Sequence, residues 1–275
     1  MTASAITPVT LLTGFLGSGK TTLLNRILRE PGIVETAVLI NEFGAVSIDH
    51  LLVREASENL MVMSNGCICC SVAGDMVQAL RDLYFKRANG EVPAFRRVII
   101  ETTGLADPAP IMHTLIEMPL VAARYSLSGI VTTVDAEHGG HQLDEHAESV
   151  KQAAVADRIV ITKTDRVPAA TAAALRARLA NLNPGAVVLE AVNGAMDSSR
   201  LFDTGLYQPG SKAPDVRKWL AAEAYRPVST GNSLTALPQA AARHDDRIRA
   251  FAVILDTPAS WPSMVEALET LTEMR

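Results

Sequence analysis

The stretch Gly14-Phe15-Leu16-Gly17-Ser18-Gly19-Lys20-Thr21 constrains this chain more than any other. It follows an apolar, β-prone run from Val9 to Thr13 and opens a helix-like segment from Thr21 to Arg29. Strand, glycine-rich turn and helix in that order make a phosphate-binding loop, or P-loop. Glycines let the backbone curl so that consecutive N–H groups face inward around phosphate oxygens, and the helix N-terminus adds partial positive charge. Lys20 would reach the β- and γ-phosphates, and Thr21 would offer its hydroxyl to Mg²⁺. Gly14, Gly17, Ser18, Gly19, Lys20, Thr21 and Thr22 are therefore the candidate nucleotide-binding residues, with Lys20 also a candidate catalytic group. The competing reading, a glycine-rich turn without a ligand, leaves the lysine and threonine unexplained.

Composition bounds the rest. A chain of 275 residues can bury a substantial core in one large domain with a smaller appendage. A hydrophobic share of 48% with 20% charged residues is a globular balance. The formal charge of −5 argues against nucleic acid as a partner, because phosphate contacts need clustered Lys and Arg. No apolar run approaches bilayer length, and Met1 to Pro8 lacks the pattern of a secretory signal, so no membrane partner is expected. All three cysteines fall between Cys67 and Cys70, which is a poor disulfide framework and a good metal or redox site. The expected compartment is the reducing cytoplasm.

Two further segments supply candidate metal ligands. Thr36 to Asn41 reads as a short buried strand running into Asn41-Glu42-Phe43-Gly44. A carboxylate just past such a strand is placed to touch Mg²⁺, its water shell or a second metal, although Glu42 standing alone would read as an ordinary surface acid. Leu60 to Met63 reads as another strand, followed by Asn65-Gly66-Cys67-Ile68-Cys69-Cys70. Cys67, Cys69 and Cys70 can give three soft ligands to one ion, with a fourth from water, a His or a carboxylate such as Glu42. Three buried thiols acting as small hydrophobes, or a redox pair, are the alternatives.

Asp75 to Arg87 reads as a helix ended by Asn89-Gly90, and Arg97-Val98-Ile99-Ile100-Glu101 as a strand with an acid at its C-terminal edge. Downstream of a P-loop, that is the Walker B arrangement, with Glu101 supporting Mg²⁺. Gly104 would let its N–H approach the γ-phosphate, and Pro108 and Pro110 start the next helix. Gly129 to Val134 is a further strand ending at Asp135, with His138, His141 and His146 in the following loop and helix start. Loop histidines in solvent are a simpler reading of these three than a metal site. A helix over Glu148 to Ala156 leads into a strand that ends Thr162-Lys163-Thr164-Asp165.

An apolar strand ending in Asn/Thr-Lys-x-Asp is a guanine-reading pattern. The Asp165 carboxylate would accept from two donors of the guanine edge that adenine lacks, while Lys163 would lie along the base and ribose. Thr162 stands where asparagine is more usual. An alanine-rich helix (Pro168 to Leu182) and a strand (Ala186 to Leu189) complete the alternation, and Asn193 in Ala191-Val192-Asn193-Gly194 is placed to close over the base. The expected fold class is α/β, a P-loop NTPase with a mainly parallel sheet flanked by helices. Its ligands would sit at the C-terminal strand edge.

Residues 1–193 are thus expected to form the P-loop domain, and 194–246 a linker with one helix, Asp215 to Tyr225. Residues 247–275 read as a short or truncated α+β piece: a strand from Ile248 to Leu255, then a helix capped by Ser260. One strand and one helix cannot bury a core of their own.

Together, Gly14 to Thr22, Asn41-Glu42-Phe43-Gly44, Gly66-Cys67-Ile68-Cys69-Cys70, Glu101 to Pro108 and Thr162-Lys163-Thr164-Asp165 resemble the CobW family of metal-linked P-loop GTPases. Val216 to Tyr225 and Arg243 to Arg249 fit the same resemblance, which covers nearly the whole chain. It implies a GTPase that binds Zn²⁺, Co²⁺ or Ni²⁺ at Cys67, Cys69 and Cys70 and delivers metal to a client metalloprotein or cofactor. Many relatives carry a histidine-rich run where this chain has Arg226 to Ala242 without one, and a fuller C-terminal domain.

The expected function is an Mg²⁺-dependent GTP hydrolase, cycling between GTP and GDP and coupled to transition-metal binding. Lys20, Glu101 and Glu42 are its catalytic candidates. The rivals are a GTP-gated metal-sensing module with incidental turnover, and an ATP-dependent P-loop kinase or synthetase.

Overall fold

The computed structural model describes residues 6–30, 33, 35–41, 61–64, 72–197, 199–202 and 216. Among the described residues seven strands form one sheet: β1 (Thr7–Gly14), β2 (Thr36–Asn41), β3 (Met61–Ser64), β4 (Arg97–Thr102), β5 (Tyr125–Asp135), β6 (Arg158–Thr162) and β7 (Val187–Ala191). Their spatial order is β3-β2-β4-β1-β5-β6-β7, and every pairing is parallel. The helices are α1 (Lys20–Ile27), α2 (Val72–Ala88), α3 (Pro108–Glu117), α4 (Pro119–Ala122), α5 (Gly139–Glu145), α6 (Ala147–Val155), α7 (Ala169–Leu182) and α8 (Ser199–Phe202).

Parallel strands need crossover connections, and helical crossovers cover both faces of a sheet. The strands accordingly carry apolar residues on both sides. On one face, Val9, Leu11, Val98, Ile100 and Ile130 pack with Leu80 and Leu83 of α2 and Ile111, Met112 and Leu115 of α3. On the other, Leu12, Ile99, Val131 and Val160 pack with Leu23, Leu24 and Ile27 of α1. A third cluster joins Ile159 and Ile161 of β6 to Ala153 of α6 and to Leu175 and Leu179 of α7.

Central β5 begins four residues before the Gly129 start expected from sequence. Tyr125-Ser126-Leu127-Ser128 looks like a turn because of its serines. In the sheet, Ser128 sits at a register shift against Val9/Thr10 and donates to the Val9 carbonyl at 3.0 Å. Helix α5, which starts on Gly139-Gly140, has no counterpart in the sequence reading. Beyond residue 193, α8 packs Leu201 into the α1 face, and Val216 lies against the α2/α3 face. The expected Glu42 to Gly44 and Gly66 to Cys70 segments, most of Asp215 to Tyr225, and everything from Arg226 to Arg275 lie outside the described residues.

Because all seven strands run the same way, their C-terminal ends share one edge. Register sets the residues there side by side: Glu101 of β4 is level with Leu12 and Ile40, Gly14 with Thr133, and Thr162 with both Asp135 and Ala191.

Tyr125 ties β5 to α2, its buried hydroxyl donating to the Leu80 carbonyl at 3.0 Å. Burial pushes its pKa up to about 12 from 10.0. A tyrosine protonated more tightly when folded than when unfolded contributes stability that is complete below pH 10 and is lost as pH rises toward about 12. Urea unfolding of Tyr125→Phe should show about 1 kcal/mol lower stability at neutral pH. The gap to wild type should narrow as the pH is raised through that window.

Candidate functional site

The P-loop lies between β1 and α1 at the shared edge. Gly14 leaves β1 at φ 142, and a Cβ there would stand 2.5 Å from the Thr133 carbonyl oxygen, so only glycine lets the loop cross β5 this closely. Gly17 is exposed at the loop tip, and Gly19 at φ 89 turns the chain into α1. Lys20 is 9% exposed, and its Nζ donates to the carbonyls of Gly14 (3.0 Å) and Phe15 (3.1 Å). The ammonium is therefore held over the loop that would wrap the phosphates.

Ser18 is fully buried, with its hydroxyl 2.7 Å from that of Thr133, and its N–H donates to Phe15 within the loop. It fastens the loop to β5 instead of facing outward. Thr22 is exposed at the start of α1. Asn193, at φ 50, sits in the turn after β7, and the adjoining Gly194 approaches the Thr22 carbonyl so closely that a Cβ would lie 3.0 Å away. The structure thus brings Asn193 to the α1 side of the loop.

Thr21 and Glu101, 80 positions apart in sequence, meet: the Thr21 hydroxyl donates to Glu101 Oε1 at 2.7 Å, and Glu101 is 2% exposed. A hydroxyl and a carboxylate together at the end of a P-loop are hard oxygen donors of the type Mg²⁺ takes. Gly104 follows, packed so tightly on the P-loop that a Cβ would lie 2.6 Å from the Leu16 nitrogen. Asp107 caps α3, accepting from the Ala109 N–H at 3.0 Å, with Pro108 in the first turn.

The segment expected to read the base begins at Thr162, the last residue of β6. Thr162 donates to the Ser18 carbonyl at 2.8 Å, tying β6 to the P-loop. The short hydroxyl thereby does, without an amide, the work of joining these two loops. Lys163 adopts a left-handed conformation (φ 57), and its Nζ pairs with Asp135 Oδ2 at 2.6 Å. Asp135 is 1% exposed and also accepts from the Glu137 N–H. Asp165 is exposed in the 3₁₀ turn Thr164–Arg166. In the sequence Asp135 stands out only as a strand end. Its parallel register with Thr162 is what makes it the partner of Lys163.

Glu42, Cys67, Cys69 and Cys70 lie outside the described residues. The strands leading to them, β2 ending at Asn41 and β3 ending at Ser64, end at the same sheet edge, with β2 directly beside β4. Among the described residues no group of three or more His, Cys, Asp or Glu is placed to hold a metal. Of the histidines, His146 stacks on Phe15 of the P-loop, with ring centroids 4.5 Å apart, and His113 faces Glu117 at 3.4 Å.

The chain spans 42% to 63% of the length of the curated relatives it matches. The zinc chaperone YjiA of Escherichia coli is 43% identical over 196 residues, 71% of this chain and 61% of that protein. The zinc-regulated GTPase metalloprotein activator 1 of Schizosaccharomyces pombe is 32% identical over 208 residues, 73% of this chain and 49% of that protein. The crystal structure of Zn(II)-bound YjiA GTPase from E. coli superposes with a TM-score of 0.59 at 36% identity, covering 74% of this chain and 63% of that one. A family profile described as CobW/HypB/UreG, nucleotide-binding domain, matches residues 8–190, which include the P-loop, the β4 carboxylate and the Thr162–Asp165 segment. The chain therefore belongs to the CobW/HypB/UreG family.

Proposed function

We propose that this protein is a GTP hydrolase whose nucleotide cycle is coupled to zinc handling, with Zn²⁺ as cargo passed to a client protein. The observation that carries the nucleotide half is the meeting of Thr21 and Glu101 beside a P-loop whose lysine is already seated over its carbonyls. The relatives named as zinc chaperones and as a zinc-regulated GTPase support the metal half.

In this mechanism the P-loop amides and Lys20 hold the β- and γ-phosphates. Thr21 and Glu101 would hold Mg²⁺, which supplies charge neutralisation at the phosphate oxygens. Lys163, steadied by Asp135, lies along the base, and Asp165 accepts from the guanine edge; Asn193 closes that side. The Gly104 N–H faces the γ-phosphate. Turnover rests on positioning and charge, which suffice for slow phosphoryl transfer. Cys67, Cys69 and Cys70 bind the cargo, for which thiolates suit Zn²⁺, and Co²⁺ or Ni²⁺ are the alternatives. Glu42 connects that site to the nucleotide. We assign these roles to residues 1–193, with 194–246 linking to a C-terminal piece over 247–275.

Competition of GTP against ATP for the wild-type protein tests the base reading. GTP should win, and Asp165→Ala should weaken guanine-nucleotide binding about a hundredfold and erase the preference. Equal binding of ATP in wild type would favour an adenine-dependent kinase or synthetase instead. Replacing Asp135 by Asn removes the charge partner of Lys163 and should weaken GDP binding about tenfold in an equilibrium fluorescence titration, with little change in Tm. Turnover should change on adding Zn²⁺; turnover indifferent to the metal would favour a gated sensing module.

A further inference from the structure

Helix α6 carries a buried side chain that the mechanism above leaves unused. Gln152 is 1% exposed, and its Nε2 donates twice into the segment after the Walker B strand, to the carbonyls of Gly104 (3.1 Å) and Ala106 (3.0 Å). Two acceptors on one nitrogen fix which end of the amide is which. The opposite end, Oε1, is buried with no hydrogen-bond partner among the described residues. Next to it, Lys151 pairs with Asp107 Oδ2 at 2.6 Å, so α6 grips the segment at three successive points, 104, 106 and 107.

The other side of that segment is the P-loop, against which Gly104 is packed on Leu16. The helix is itself anchored. Thr132 of β5 donates to the Gln152 carbonyl at 2.7 Å, and His146, just before α6, stacks on Phe15. Six residues beyond Gln152 the chain enters β6, which carries the base-reading segment.

A residue needed only for packing here would be cheaper as an apolar side chain, since burying an amide with an unsatisfied oxygen carries a desolvation penalty. What glutamine adds is a pair of donors matched to two carbonyls of an irregular loop. Its unused acceptor means that a shifted segment presenting an N–H would satisfy it better. A segment with two such arrangements would be biased between them by differential contacts with the γ-phosphate.

We propose that Gln152 is a positioning residue for GTP hydrolysis: its amide is the latch that holds Gly104 to Asp107 against the P-loop, and the latch is exchanged when the γ-phosphate is present. The proposal rests on the GTPase reading for its hydrolytic consequence, while the latch itself is testable without nucleotide.

The test uses the full chain with Gln152→Met, which keeps length and loses both donors, and with Lys151→Ala, a part-exposed site tolerant of change if the first variant folds poorly. Hydrogen exchange of the 103–107 amides in nucleotide-free protein should rise about tenfold or more in Gln152→Met, with β1 and β4 unchanged. In GTP turnover, kcat should fall about tenfold while GDP affinity stays within about twofold, a split that general loosening would not produce. Lys151→Ala should move both readouts in the same direction by less. Unchanged exchange at 103–107, or GDP affinity falling in step with kcat, overturns the proposal. Wild-type protein that fails to hydrolyse GTP contradicts the functional reading and the hydrolytic role together, and the exchange arm then still decides whether the latch exists.

Discussion

A loop that must present its N–H groups to a ligand has few left to hold itself together, and here one such bond, from the Ser18 N–H to the Phe15 carbonyl, is made within the loop. The P-loop of this chain meets that constraint by borrowing its fixation from neighbours. Ser18 is tied through its hydroxyl to Thr133 on β5 and through its carbonyl to Thr162 on β6, Thr21 is tied to Glu101 on β4, and Leu16 is packed under Gly104. Even Lys20 serves this purpose, bonded to the carbonyls of Gly14 and Phe15. These ties give the loop a defined shape, and each runs to a segment at the same C-terminal edge of the sheet. That is the physical basis for expecting signals at the base, the γ-phosphate and the metal to reach one another.

The ties depend on the parallel sheet. With β1 between β4 and β5, and β6 beyond, the three strands that supply partners all end at the level of the loop. The two-sided apolar character of these strands buries them under helices on both faces and leaves the C-terminal edge as the place for polar chemistry. Glu101, Asp135 and Thr162 are buried polar residues, and each is the last or next-to-last residue of its strand.

Much of this was legible in residue order. The P-loop, the acid ending β4 and the Thr162–Asp165 segment stand out because each couples an apolar strand to a chemically demanding residue at its end. The helices α6 and α7 and strands β2, β4 and β6 fell within a residue or two of their expected places for the same reason, strong apolar patterning. The start of β5 did not, because Ser126 and Ser128 alternate with apolar residues that a bulge accommodates. The pairings Lys163–Asp135, Ser18–Thr133 and Gln152–Gly104 join residues 28, 115 and 48 positions apart, and only strand register and helix docking decide them. Thr162 in the place of a more usual asparagine becomes intelligible only once its hydroxyl is seen on the Ser18 carbonyl.

If nucleotide and cargo share one bistable edge, linkage requires that each alter the other's affinity by the same factor. The most direct test is competition titration of Zn²⁺ into the full chain loaded either with GDP or with a non-hydrolysable GTP analogue. The affinities in the two states should differ by about fivefold or more, and Cys67→Ser should abolish the difference. Equal Zn²⁺ affinity in both nucleotide states would contradict the coupling.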